Sequence, residues 1–345
     1  MKEDGRTLLG VLNGQTVWPP PVWLMRQAGR YLPEYRKLRV RVGSFWKMCM
    51  DPALAVEVTL QPIHRFGFDA AIIFSDILTV PYALGRTIQF EDGVGPSLDA
   101  IDSVSQLDDD RDVWKRKLEP AYETLHRARA ELPPEIALLG FAGAPWTLAT
   151  YMAAGRGGDE QRAAKLWGYR EPESFDALLE LIGDCVAQHL IAQLEAGADA
   201  VQIFDSWAGG LSERVFNRWV IAPTKRIVEK VKAAQPQARI IGFPRATTLQ
   251  GYLRYAQETG VDAVSLDTAV PLSWAVENMP DNIALQGNLD PVALIAGGAA
   301  LVGQVNDILE AARSRPFVFN LGHGVLPQTP PENVAALVEQ IRSSR

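Results

Sequence analysis

Between Arg26 and Arg41 the sequence sets six cations against one acid, Glu34, in a chain of formal net charge −7. The stretch PVWLMRQAGRYLPEYRKLRVR, residues 21–41, starts as a short apolar run from Val22 to Met25 and breaks at Arg26. A buried strand ending on a dense positive patch is a layout for holding an anion, while charge alone leaves a solvated basic loop as the competing explanation. Other reactive side chains also stand just past apolar runs: Asp76 in FSDIL, Tyr151 beyond GAPW, Asp205-Ser206, Asp267, and His323 between two glycines. Together these types supply guanidinium forks for carboxylates, a carboxylate for a developing cation, and a phenol, hydroxyl and imidazole for hydrogen bonding or proton transfer. Each has an ordinary use as well. Asp76, Asp205, Asp267 and Ser206 can cap following helices, and Tyr151 can be a buried ring with its hydroxyl bonded locally. His64, His126 and His189 fall inside helical patterns and read as structural or exposed; the glycines around His323 let backbone and ring come close to a ligand.

The elements that must position these groups follow from pattern. Apolar runs of strand length occur at Val22–Met25, Ala70–Phe74, Ile136–Phe141, Ala200–Phe204, Arg239–Phe243, Ala263–Leu266, Ile283–Gln286 and Phe317–Asn320. Near-continuous apolar runs are expected of parallel strands covered on both faces. Amphipathic segments lie between them. Asp51-Pro52 opens a helix to about Phe66; residues 112–132 read as helix with a break or kink at Pro120; Pro172 to Ala196 and Pro330 to about Ser343 are helices. Eight strand-helix units predict an α/β fold, a (β/α)8 barrel forming a single domain over residues 1–345. A doubly wound sheet competes, but neither G-x-G-x-x-G after the first run nor a P-loop is present. The long interval from Phe74 to Ile136 predicts a hairpin insertion around Gln89–Pro96, turning at Asp92-Gly93, and the glycine- and charge-rich interval from Tyr151 to Tyr169 predicts a mobile loop.

With 345 residues, 47% of them hydrophobic, the chain can bury a large core, and its pI near 5.3 argues against nucleic acid as a partner. No apolar run approaches the roughly 18 residues that cross a bilayer. The opening MKEDGRTLLG lacks the apolar core of a signal peptide, so a cytoplasmic location is expected. Cys49 and Cys185 are isolated, and no two candidate ligands show metal-site spacing, so neither disulfide nor metal is expected.

VWLMRQAGRYLPEYR, AAIIFSDIL, GFAGAPWTLATYM, FDSWAG, QGNLDP and FNLGHGVLPQTPPENV, in that order across nearly the whole chain, resemble the uroporphyrinogen decarboxylase family. The resemblance implies a homodimeric, cytoplasmic (β/α)8 barrel that removes carbon dioxide from the four acetate side chains of uroporphyrinogen III, giving coproporphyrinogen III, with no metal or organic cofactor. Carried over by motif, it implies that Arg26, Gln27, Ala28, Gly29, Arg30, Asp76, Tyr151, Ser206 and His323 bind the tetrapyrrole, with Asp76 and Arg26 catalytic. Water, a substrate carboxyl, Tyr151 and His323 remain open as sources of the proton. The chain departs from the pattern at Gly210, where a histidine is common, at Arg245, where a lysine-glycine variant is frequent, and at Thr268, where a tryptophan is usual. Related corrinoid and zinc-dependent methyltransferases need a His-x-Cys pair that this chain lacks. A tetrapyrrole carrier on the same barrel would bind without turnover.

Overall fold

The computed structural model describes residues 6–91 and 95–344. Seven parallel strands run β1 (Ala70–Ile72), β4 (Ala137–Gly143), β5 (Ala200–Asp205), β6 (Ile240–Pro244), β7 (Ala263–Ser265), β8 (Ala284–Leu289) and β9 (Phe317–Leu321), each bonded to the next. They form one curled sheet with helices outside it. Their residues are almost all buried, as both-face coverage requires. Two apolar layers result. Trp23, Met25, Ile72, Leu139, Ile241, Phe243 and Val318 pack inside the curl, and a larger cluster fills the space between strands and helices.

The run Val22–Met25 makes a single parallel bridge, Val22 to Phe319, instead of the strand its composition predicts. Side chains intercept its donors. The N–H of Val22 goes to Asp69 Oδ2 (2.8 Å), that of Leu24 to Gln27 Oε1 (3.0 Å) and that of Met25 to Asn320 Oδ1 (2.9 Å). Pro19, Pro20 and Pro21 ahead of it have no N–H to give. The segment nevertheless touches both edges of the sheet: Trp23 N–H donates to Phe319 O, Phe319 N–H to Pro21 O, and Asp69 N–H to Val22 O.

One local device recurs at the amino-terminal ends of the strands. Gly67-Phe68-Asp69, Gly197-Ala198-Asp199 and Gly260-Val261-Asp262 each follow a helix and precede a strand, with the glycine at φ +65°, +110° and +77°. Those left-handed values suit glycine. Each aspartate N–H donates to a carbonyl on the neighbouring stave, of Val22, Leu138 or Ile240. Its carboxylate accepts the N–H of that same residue, at 2.8, 2.7 and 2.8 Å. Val22 thus holds toward β1 the position that Leu138 in β4 holds toward β5 and Ile240 in β6 toward β7.

β2 (Ile88–Glu91) and β3 (Gly95–Leu98) pair antiparallel, with Ile88 opposite Leu98. The turn expected at Asp92-Gly93 lies outside the described residues. Helices occur at Pro52–Phe66, Pro172–Glu195 and Pro331–Ser343, close to expectation. The expected break at Pro120 is absent: one helix spans Arg111–Glu131. Burial of Trp114, Leu118, Tyr122, Leu125 and Ala128 along one face outweighs the roughly 3 kcal/mol penalty of an internal proline. The interval read as a mobile loop contains a helix, Arg162–Arg170, anchored where Trp167 packs on Phe175, so only residues 155–161 connect it to the preceding helix. Pro172–Glu195 has the length and hydropathy of a membrane span, yet Phe175, Leu178, Leu179, Ile182, Val186 and Leu190 are buried inside this fold.

Asp199 also pairs with Arg6 and accepts from Arg129 Nη1 at 3.1 Å, with its side chain only 10% exposed. Asp199→Ala should therefore lower the unfolding free energy by about 3 kcal/mol in a denaturant titration, because the strand N–H and two guanidinium groups lose a nearly buried acceptor. Asp199→Asn should lose less, since its amide oxygen still accepts from Leu138.

Candidate active site

Arg26 occupies the turn that leaves Met25. Its backbone sits at φ +60°, a conformation unfavourable for a residue with a Cβ. Two neighbours hold it there: Val325 N–H donates to Met25 O (2.8 Å), and Gln27, fully buried, accepts from Leu24 N–H and donates to Ala70 O (3.0 Å each). A Cβ on Gly324 would collide with Cδ of Arg26, so glycine at 324 is what lets the arginine stem pass. The guanidinium is exposed and makes no hydrogen bond or ion pair among the described residues. Gln27, expected at the ligand, is instead a fastening of the turn, because both ends of its amide are spent on backbone.

Asp76 follows β1. Its Oδ1 accepts from Leu78 N–H (2.9 Å) and its carbonyl from Thr79 Oγ1 (2.8 Å), an Asx-type turn that leads into the short helix Thr79–Ala83, whose N-cap is Leu78. Its second oxygen has no partner among the described residues, and no cation lies within ion-pair distance. The side chain is deep in the protein but still open to solvent on one side. Burial raises its pKa from 3.8 to about 6, against the opposing pull of the Leu78 N–H and the Arg26 charge. One oxygen of the carboxylate thus fastens the turn, and the other is unbonded among the described residues.

Tyr151 sits on the helix Pro145–Ala154, half-buried, with its ring edge-on to Trp207 at 6.3 Å between centroids. Burial raises its phenol, and the charges of Asp76 and Arg26 both reach it. His323 follows β9 and tilts against Phe243, 6.4 Å between ring centroids. Burial, then Arg26 and Arg245, lower its pKa to about 3, so the imidazole is neutral at physiological pH. Ser206, half-buried after β5, keeps a hydroxyl without a partner among the described residues. Ala28, Gly29 and Arg30 complete the turn after Arg26, and their N–H groups have no acceptor among the described residues. Arg30 is exposed and its charge acts on Tyr35, farther out than Arg26.

Asp205 and Asp267, possible members by position, turn away from the mouth. Asp205 is fully buried and takes the Thr147 hydroxyl; Asp267 takes the N–H groups of Ala246 and Ala269 and the Tyr252 hydroxyl. His189 is buried against the Tyr122 hydroxyl at 3.2 Å. Pattern reading missed the floor. Phe141, Phe204 and Phe243 line up edge to face at 5.6 and 6.2 Å and continue to His323. Beneath them Trp23, Gln286, Gln202 and Ser265 form a buried hydrogen-bonded belt that plugs the curl. Period-two spacing along β4, β5 and β6 is the signal for the floor. Arg245 stands just past β6 and reaches the Ser206 carbonyl at 3.4 Å. Thr268 meets Gly322, where a Cβ would collide with it, so that departure lies against the His323 loop. Among the described residues no group of three or more His, Cys, Asp or Glu is placed to hold a metal.

Unpaired cations, a half-dry carboxylate, a phenol, a neutral imidazole and an aromatic floor make a receptacle suited to an anionic ligand. Residues 4–344 match the family model described as Uroporphyrinogen decarboxylase (URO-D). Proteins named uroporphyrinogen decarboxylase from Brucella anthropi and from Chelativorans sp. (strain BNC1) are each 54% identical over 340 residues, covering 99% of both chains. A methyltransferase from Methanosarcina mazei superposes with TM-score 0.82 at 20% identity over 98% of each chain. A B12-independent methionine synthase from Shewanella sp. W3-18-1 gives 0.57 at 13% identity, covering 84% of this chain and 87% of its own. At those identities the two structures speak for the fold alone.

Because the folded pKa of Asp76 exceeds its unfolded value, the native protein binds more protons than the unfolded chain between pH 3.8 and about 6. Stability attributable to this group is therefore greatest below pH 3.8 and falls as pH rises to about 6. Asp76→Asn has no such loss and keeps the oxygen that accepts from Leu78. It should be more stable than the parent by about 2 kcal/mol at pH 7.5, discounting for partial solvent access, with the gain shrinking toward pH 4. Denaturant unfolding at the two pH values measures this; equal stabilities at pH 7.5 would contradict it.

Proposed function

The chain belongs to the uroporphyrinogen decarboxylase family, and on that footing we propose that it is a carboxy-lyase. It removes the four acetate carboxyls of uroporphyrinogen III to give coproporphyrinogen III. The observation that carries the reading is an Asp76 and an Arg26 at one mouth, within electrostatic reach of each other and with no ion pair to either among the described residues. Such an arrangement is costly unless a ligand comes between the two groups.

Decarboxylation leaves an electron pair, for which many enzymes recruit a cofactor as sink. A pyrrole serves as its own. A proton added to the ring carbon beside the acetate gives a cation. The bond to the carboxylate then breaks, carbon dioxide leaves, and the pair neutralises the ring as an exocyclic methylene. That methylene takes a proton to become methyl, and the ring carbon returns its own. Each acetate thus consumes one proton and releases one carbon dioxide. Asp76, ionised above about pH 6, accepts pyrrole N–H bonds and stabilises the cation in a poorly solvated cleft. Arg26 and Arg30 offer planar forks to the carboxylates, and Ala28 and Gly29 offer backbone N–H groups. Tyr151, Ser206 and neutral His323 supply uncharged hydrogen bonds. Arg26, acting through water, is our choice of proton source, although a guanidinium is a reluctant acid.

We further read the three aspartate clamps as support for a closed (β/α)8 barrel in one domain. Residues 21–25 would be its eighth stave and the β2–β3 pair an insertion after β1. Family membership leads us to expect a cytoplasmic homodimer without nucleic-acid or membrane partners, which sedimentation of the purified protein checks.

The direct test is anaerobic incubation of metal-stripped protein with uroporphyrinogen, following loss of four carboxyls by chromatography; binding without carbon dioxide release would favour a carrier. Asp76→Asn should fold yet lose about 2–4 kcal/mol of transition-state stabilisation. Arg26→Lys should cut kcat/KM by at least about tenfold, because a point charge replaces a fork. Unchanged kinetics in either variant would remove that residue from its role.

A further inference from the structure

Arg245 is the cation the mechanism leaves unused. Its backbone is pinned where β6 ends, its N–H shared between Asp205 O and Phe243 O at 3.0 Å each. The side chain is half-buried, and among the described residues it makes one long contact, from Nη1 to the Ser206 carbonyl at 3.4 Å. No carboxylate lies within ion-pair distance of it among the described residues. Asp267 is engaged by Ala246, Ala269 and Tyr252, and Asp205 takes the Thr147 hydroxyl on Oδ1 while its Oδ2 is buried without a hydrogen-bond partner among the described residues. A guanidinium has five donors in a fixed fork and is normally found paired when it leaves bulk water. This one faces the mouth, since its charge acts on His323, which also feels Arg26.

The placement has a direction. Arg26 and Asp76 come from the staves at residues 21–26 and β1, whereas Arg245 and Ser206 come from β6 and β5, with β4 between β1 and β5 in the sheet. A macrocycle gripped at Arg26 and Asp76 by its reacting ring would present a different ring to Arg245. Acetates on that ring disappear as the reaction proceeds; its propionate persists through every round.

We propose that Arg245 binds a propionate carboxylate of the tetrapyrrole beside Ser206 and His323, holding the macrocycle by a group that is never decarboxylated. The proposal rests on the decarboxylase reading, and it makes Arg245 a substrate-binding residue common to all four steps. A planar fork suits this use better than an ammonium.

The experiment compares Arg245→Gln and Arg245→Lys with the parent after matching their thermal unfolding. With uroporphyrinogen under anaerobic conditions, Arg245→Gln should raise KM roughly 10- to 100-fold with kcat changed much less. No seven-, six- or five-carboxyl intermediate should accumulate. Arg245→Lys should recover part of the affinity. Binding of the unreactive oxidised ligands uroporphyrin and coproporphyrin, followed by quenching of tryptophan fluorescence, should weaken in Arg245→Gln by a similar factor for both, because both keep four propionates. An unchanged KM, accumulation of one intermediate, or weaker binding of uroporphyrin alone would each overturn the assignment. If the parent protein fails to decarboxylate while both porphyrins still bind less tightly to Arg245→Gln, the decarboxylase reading falls and the anion site at Arg245 stands.

Discussion

The exchange of two hydrogen bonds between an aspartate and one residue of the neighbouring stave sets the geometry on which the mouth depends. It occurs at Asp69 with Val22, Asp199 with Leu138 and Asp262 with Ile240. A parallel strand slipped by one residue would turn its inward side chains outward, so register must be fixed somewhere. Here it is fixed at the amino-terminal ends, and the opposite ends are left to carry chemistry. The effect is greatest at Val22, whose own ladder is a single bridge. Four residues beyond that clamp stands Arg26, and without a fixed Val22 the guanidinium would have no defined position over the floor. Gln27 and Asn320 finish the task by taking the N–H groups of Leu24 and Met25.

Electrostatics at the mouth run opposite to those at the base. Asp199 and Asp262 are paired with arginine or lysine, whereas Asp76 feels Arg26 without an ion pair among the described residues, and Arg26 and Arg245 both act on His323. Leaving a partly desolvated charge unpaired destabilises the fold, and the raised pKa of Asp76 expresses that penalty directly. The separation also prevents the site from quenching itself. Were Arg26 to close on Asp76, a bidentate pair would have to be broken before a carboxylate or a pyrrole N–H could enter. The aromatic floor and the buried Trp23–Gln286–Gln202 belt below it leave these charges little room to collapse inward.

Much of this was legible in the residues. Strand-length apolar runs locate seven strands to within a few residues, and Asp51-Pro52 marks its helix start to the residue. The mouth was legible as a set of residues following those runs. What pattern could not supply was the direction of individual side chains. Gln27 belongs to the RQAGR motif yet faces inward, because the turn needs an acceptor for Leu24 and a donor for Ala70. Asp205 and Asp267 occupy positions equivalent to Asp76 but bond to a neighbouring helix or loop. Pro120 fails to break its helix because tertiary burial overrides local preference. The Gly-x-Asp device escaped notice because its three copies are short and 130 and 63 residues apart, counting Asp69 to Asp199 and Asp199 to Asp262. Its meaning appears only once the neighbouring stave is in view.

The likeness to a methyltransferase of the same curl shows how little the frame dictates the reaction. What distinguishes this mouth is its charge economy at neutral pH. His323 is held neutral by burial and by two arginines, so it offers one donor and one acceptor without adding a further cation. Tyr151 is held protonated by burial and by Asp76. Asp76, its pKa raised to about 6 by burial, feels the charge of Arg26. A ring that arrives as a polyanion and turns briefly cationic meets opposite needs at its rim and at its centre. In the function proposed above, arginines at the periphery answer the first and the Asp76 carboxylate answers the second. Interchanging them would repel the substrate's carboxylates and destabilise the intermediate at once. The sequence of elements enforces the order: cations come on turns at the edge of the mouth, and the carboxylate comes on the turn between β1 and the helix Thr79–Ala83.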